Sequence, residues 1–211
     1  MPMRFSLPPV YPITDKRLAG KSTHLAIVRE LVRGGATIIQ IRDKETPLRE
    51  LLADIRRCSE HTARFGVRLI VNDRCDLALL GGAAGVHLGQ EDLPPEAARI
   101  VLGRRAVIGL STNTPAQVRR ANRLPVQYIG LGPIFATATK PDHSPVAGLT
   151  ALRRVCSLST RPVVAIGGID LERIPQVLEA GAASAAVIST LMQAGSIARR
   201  MEQLLKAAGR L

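Results

Sequence analysis

A closed (β/α)8 barrel, the α/β architecture known as a TIM barrel, is the fold that this sequence predicts, on three observations. Short apolar runs and amphipathic segments alternate from one end of the 211 residues to the other. Eight such strand–helix units can be read off, the number that closes a parallel sheet on itself. Polar residues collect just past the carboxyl ends of the runs, where parallel barrels bind their ligands.

The strands are expected at Val10–Thr14, Thr37–Arg42, Arg68–Asn72, Gly85–Leu88, Ala106–Ser111, Gln127–Gly130, Pro162–Ile166 and Ala185–Ile188. The run Arg68–Val71 is apolar and β-branched, as a strand buried on both faces should be. The helices are expected at Ser22–Arg33, Leu48–Arg64, Cys75–Leu80, Pro95–Val101, Pro115–Asn122, Leu149–Cys156, Leu171–Ala180 and Ser196–Ala207. Apolar residues recur there at helical spacing, and Gly or Pro marks many of the ends. A hydrophobic content of 46% supports one sizeable core, and residues 1–211 read as a single domain without linker or low-complexity tract.

Composition narrows the partners. The formal net charge of +12 calls for anions, either nucleic acid or small anionic substrates. Only 2% of residues are aromatic and none is Trp, which is poor material for stacking bases. Paired arginines at 56–57, 119–120, 153–154 and 199–200 read as solvated helix faces. Cys58, Cys75 and Cys156 have neither metal spacing nor a disulfide pattern, which suits free thiols in a reducing compartment. No leader pattern and no run of membrane-spanning length is visible, so a cytoplasmic chain without a membrane partner is expected. An oligomer is compatible with the sequence.

Two acids draw attention first. Asp73 follows the third strand, and Asp92 follows the fourth in Gly89-Gln90-Glu91-Asp92. Carboxylates at neighbouring strand ends are a seat for Mg²⁺, which takes one or two of them and fills its shell with water and phosphate oxygens. Helix N-caps and surface acids are the other reading of the same residues. In the second strand, period two puts Gln40 and Arg42 on the inward face, with Lys44 just beyond, while Ile39 and Ile41 face the helices. An amide, a guanidinium and an ammonium make a poor core but a good anion grip. An ion pair of either cation with Asp43 or Glu45 is the structural alternative.

His87, between Val86 and Leu88, reads as a hydrogen-bonded interior residue rather than a catalyst. Ser111 could bond a ligand or cap the helix near Pro115, and no motif places a base beside it. The longest connection, Gly132 to Gly148, carries Thr137, Thr139 and Lys140 and reads as a lid over phosphate oxygens or as a surface loop. Gly167-Gly168 after the seventh strand and Ser189 after the eighth occupy the places of the barrel's usual phosphate site.

Taken together, these motifs resemble the thiamine phosphate synthase family. They are YPITD at 11–15, QIRDK at 40–44, VNDR at 71–74, GVHLGQED at 85–92, GLST at 109–112, YIGLGPIFATATK at 128–140, AIGGI at 165–169 and AVIST at 186–190. The resemblance implies a transferase of thiamine biosynthesis. It would join a pyrimidine methyl diphosphate to a thiazole phosphate, which could bear a carboxylate, and release diphosphate. It implies that Gln40, Arg42, Lys44, Asn72, Ser111 and Lys140 hold the pyrimidine diphosphate, with Arg42, Lys44, Ser111 and Lys140 as catalytic residues. Asp73 and Asp92 would ligate Mg²⁺; Thr137, Ala138, Thr139, Gly168, Ile188 and Ser189 would hold the thiazole phosphate. The partners are then small molecules, and no nucleic acid is expected. Asn113 departs from the family, which often has His there. The related thiazole tautomerases commonly lack the second acid and the Gly-Gln before it, both of which this chain keeps. The tautomerase, or a non-catalytic basic barrel that binds nucleic acid, is the competing reading.

Overall fold

The computed structural model describes residues 5–137 and 145–209. Eight parallel strands close into a barrel in sequence order, each paired to the next and the last to the first. They are β1 (Val10–Thr14), β2 (Ile38–Ile41), β3 (Arg68–Asn72), β4 (Gly85–Leu88), β5 (Val107–Thr112), β6 (Tyr128–Leu131), β7 (Val163–Ile166) and β8 (Ser184–Val187). Around them run α1 (Lys16–Ala19), α2 (His24–Arg33), α3 (Leu48–Ala63), α4 (Cys75–Leu80), α5 (Pro95–Leu102), α6 (Pro115–Ala121), α7 (Gly148–Leu158), α8 (Arg173–Glu179), α9 (Ser189–Met192) and α10 (Ile197–Ala207). The expected strands and long helices all form, with ends that match or shift by at most two residues. The single-turn helices α1 and α9 were not expected. Among the described residues no helix is long and apolar enough to cross a membrane.

The core follows from strand alternation. Ile39 and Ile41 point outward and are buried among the helices, whereas Gln40 points inward and is only 2% exposed. Between β4 and β5 the sheet needs a residue without a side chain. A Cβ on Gly85 would lie 1.9 Å from the Val107 carbonyl oxygen. The arginine pairs lie on the outer helix faces, exposed except for half-buried Arg200, as the sequence suggests.

The mouth of β2 is anchored from below. Asp43 accepts from the Thr46 backbone N–H and hydroxyl and from the Glu45 N–H, and forms an ion pair with Lys16 at 3.2 Å. His24 is wholly buried between Thr14 Oγ1 at 2.8 Å and Asp43 Oδ2 at 3.0 Å. The ionised carboxylate can only accept, so His24 Nε2 donates to Asp43 and Nδ1 accepts from Thr14. Asp43 is thus engaged with Lys16 and His24; it is not the partner of Arg42. That leaves Arg42 without a salt bridge among the described residues.

Two predictions follow from this packing. Gly85→Ala forces β4 and β5 apart at backbone atoms and should cost about 3 kcal/mol, read as a lower urea midpoint; an unchanged midpoint would contradict the close approach. Burial lowers the His24 pKa despite the pull of Asp43. Below about pH 6.5 the unfolded chain therefore takes up a proton that folded His24 refuses. The urea midpoint should fall as pH drops from about 6.5, and His24→Gln should flatten that slope. A wild-type midpoint that holds or rises on acidification through this window would mean that folded His24 is charged.

Candidate active site

All carboxyl ends of the strands open into one cavity of about 650 Å³. It is lined by every site residue expected from the sequence that lies within the described range: Gln40, Arg42, Lys44, Asn72, Asp73, Asp92, Ser111, Thr137, Gly168, Ile188 and Ser189. Ala138, Thr139 and Lys140 lie outside the described residues, as does the middle of the expected lid. The two ends of that connection are pinned, with the Ala147 N–H donating to the Pro133 carbonyl (2.8 Å) and the Gly148 N–H to that of Ile134 (3.2 Å).

One wall carries the acids. Asp73 sits just past β3 with φ of 63°, a left-handed conformation that a non-glycine residue adopts only where its surroundings hold it there. Its N–H donates to the His87 carbonyl at 2.8 Å, tying the end of β3 to β4. Asp92 folds back over its own turn and accepts the Gly89 N–H at 2.6 Å. It does not cap α5, whose N-cap position is Pro94. The Asp73 and Asp92 carboxyl groups stand within hydrogen-bonding reach of each other. Burial and this neighbour push the Asp73 pKa up, against the pull of Lys44. Lys44 Nζ is 3.5 Å from Asp73 Oδ2, but its side chain is 62% exposed, so the pair contributes little to stability. Half-buried Arg42 lies beside it on the cavity wall.

The donor set fits a hard divalent cation. Two adjacent carboxylates supply oxygen only, and among the described residues no cluster of three or more His, Cys, Asp or Glu forms a protein cage. That leaves most of a coordination shell to water and ligand oxygens, as Mg²⁺ prefers.

The opposite wall is formed by the turn after β7 and the start of α9. Gly167 and Gly168 have positive φ, and a Cβ on Gly168 would lie 2.5 Å from the Ala136 carbonyl oxygen. Arg173 braces this turn by donating to the Gly168 carbonyl at 2.7 Å while its guanidinium lies over the Phe135 ring. Ser189 opens the one-turn helix α9 directly after β8, and Ile188 precedes it.

The floor holds residues that the sequence reading missed. Tyr11 and Tyr128, both buried, meet hydroxyl to hydroxyl at 2.9 Å. Gln40 Nε2 donates to Tyr11 Oη at 3.2 Å. Tyr128 Oη is 3.0 Å from His87 Nδ1, and His87 Nε2 is 3.0 Å from Ser111 Oγ. His87 is therefore hydrogen-bonded, as expected, but it also lines the cavity. Register explains the contact: His87 pairs with Gly109, so Ser111 stands one inward step above. Gly109 is small because a Cβ there would lie 2.1 Å from Tyr128 Cζ. Ser111 does not cap α6; Thr114 does, in a capping box with Gln117. Gln90, also on the cavity wall, donates to the Ser111 carbonyl at 2.5 Å. Asn113, the departure from the family pattern, lines the same cavity.

Comparison with known proteins places the whole barrel. The sequence profile of the thiamine monophosphate synthase family matches residues 10–191, from the first strand to the last short helix of the barrel. The thiamine-phosphate synthase of Koribacter versatilis is 44% identical over 190 residues, covering 88% of this chain and 90% of that protein. That of Albidiferax ferrireducens is 43% identical over 201 residues, covering 94% and 92%. The solved structure of a thiamine phosphate pyrophosphorylase from Pyrococcus furiosus superposes with a TM-score of 0.86 at 35% identity, covering 95% of each chain. A barrel matched over nearly its whole length, by profile, by sequence and by structure, leaves one assignment: the chain belongs to the thiamine monophosphate synthase family.

Proposed function

We propose that this enzyme of thiamine biosynthesis condenses 4-amino-2-methyl-5-(diphosphooxymethyl)pyrimidine with a thiazole phosphate, giving thiamine phosphate and diphosphate by a Mg²⁺-assisted dissociative substitution. One observation carries the reading. Two carboxyl groups in hydrogen-bonding reach share a cavity wall with Arg42 and Lys44. Such a wall suits a metal-bound diphosphate better than it suits either charge sign alone.

Asp73 and Asp92 would hold the ion, which when bound supplies charge neutralisation to the departing diphosphate. Arg42 and Lys44 add positive charge to the same oxygens, and Arg42 is available because no carboxylate among the described residues engages it. Lys140 joins them on the strength of the family resemblance. Gln40, Asn72 and Ser111 hold the pyrimidine. Thr137, Gly168, Ile188 and Ser189 hold the thiazole phosphate across the mouth, and the family resemblance adds Ala138 and Thr139 to that role. The carbon–oxygen bond breaks with its electron pair leaving on diphosphate. The thiazole nitrogen lone pair then forms the new carbon–nitrogen bond. Neither step needs a proton removed by the enzyme, and the residues assigned to the reacting ends are cations and neutral donors.

Incubation with both substrates should release diphosphate only when Mg²⁺ is present. A tautomerase would release none. Asp92→Asn keeps an oxygen for the Gly89 N–H and so should stay folded, while turnover falls on the order of a hundredfold or more. Turnover close to wild type at limiting Mg²⁺ would refute the metal assignment.

A further inference from the structure

The floor of the cavity is a line of five side chains in contact, Gln40, Tyr11, Tyr128, His87 and Ser111, with links of 3.2, 2.9, 3.0 and 3.0 Å. They come from β2, β1, β6, β4 and β5, so barrel closure alone assembles them. We propose that Tyr11, Tyr128 and His87 are positioning residues that carry a one-way hydrogen-bond chain from Gln40 and make Ser111 a donor toward a ring nitrogen of the pyrimidine. This deepens the function proposed above and rests on its placing of Ser111 against the pyrimidine.

The direction follows from counting protons. Gln40 Nε2 is a donor, so Tyr11 Oη accepts there and must give its own single proton elsewhere. Its other partner is Tyr128 Oη, which therefore accepts in turn. The Tyr128 proton then goes to His87 Nδ1. A neutral imidazole that accepts at Nδ1 carries its proton on Nε2. Nε2 donates to Ser111 Oγ, and the serine hydroxyl proton is left over for the cavity. Running the line the other way from Tyr128 would make Tyr11 Oη accept from both Gln40 and Tyr128, with its own proton buried and unpaired. Gln40 thus sets the tautomer of a histidine that it does not touch.

The serine–histidine contact also has the look of an activated nucleophile, and the third group argues against it. In nucleophilic triads the far ring nitrogen faces a buried carboxylate that stabilises the imidazolium. Here it faces a tyrosine hydroxyl that burial keeps protonated, because the Tyr128 pKa is raised well above its usual value. A neutral hydroxyl orients the ring without favouring its charged form. The arrangement therefore sets hydrogen-bond direction and leaves Ser111 a neutral donor.

The packing around the chain is specific to it. Tyr128 stacks on His87 with ring centroids 5.5 Å apart and meets Tyr11 edge-on at 5.8 Å. Gly130 leaves room for the imidazole, since a Cβ there would sit 3.3 Å from His87 Cε1.

The test reads the tautomer directly. Two-bond proton–nitrogen spectra of the ¹⁵N-histidine enzyme at about pH 8.5, where imidazole is neutral, separate the two forms. Free wild-type enzyme should show His87, assigned through His87→Gln, as the Nε2–H form. Tyr128→Phe and Tyr11→Phe each cut the line and should both shift His87 toward a mixture. Each should raise KM for the pyrimidine diphosphate by about tenfold with a smaller change in kcat, the size of one well-placed hydrogen bond. Adding Ser111→Ala to Tyr128→Phe should cost little more than either change alone. A His87 in the Nδ1–H form, or a tautomer indifferent to both tyrosine variants, overturns the chain. If Ser111→Ala keeps a wild-type KM while the Nε2–H form persists, the hydrogen-bond direction stands and the pyrimidine contact of Ser111 falls.

Discussion

Two carboxyl groups cannot be held side by side in a protein without something that offsets their repulsion. Asp73 and Asp92 are held that way, and much of the mouth is arranged around them. The left-handed backbone at Asp73 turns the chain out of β3 at that point. Its N–H is fastened to β4, and the turn after β4 is closed by Asp92 itself. Each carboxyl is therefore fixed by the backbone of its own loop. Burial first, and the Asp92 neighbour second, raise the Asp73 pKa, a cost to the charged pair that a divalent cation would offset.

The floor shows the complementary solution. Polar side chains pointing into a closed barrel must satisfy one another, because water has little access. Gln40, Tyr11, Tyr128, His87 and Ser111 do so in a line, and glycines at 109 and 130 admit the rings. The acidic wall and the neutral hydrogen-bonding floor line one cavity, with Asn72 and Ser111 on it as well. That division suits a substrate with a charged diphosphate at one end and an uncharged heterocycle at the other.

The barrel was legible because parallel buried strands announce themselves as apolar runs, and four elements, β1, β3, β4 and α4, have the expected bounds. The one-turn helices α1 and α9 were not legible, since four residues are too few for a helical period to show. Site residues at strand ends could be read from alternation, as with Gln40 and Arg42. Contacts made by closure could not. Tyr11 and Tyr128 are 117 residues apart, and nothing local pairs them. Ser111 gained a histidine beside it that no sequence motif signals. The Asp43 carboxylate went to Lys16 and His24 because a buried imidazole needs an acceptor, which a linear reading of QIRDK does not reveal.

The central claim is that Asp73 and Asp92 hold one divalent ion that the diphosphate completes. Mn²⁺ in place of Mg²⁺, followed by electron paramagnetic resonance titration with the pyrimidine diphosphate present, tests it most directly. The account predicts one tightly bound ion per chain, abolished when both acids become asparagine and weakened when the diphosphate is left out. Stoichiometric binding that survives loss of both carboxylates would contradict it.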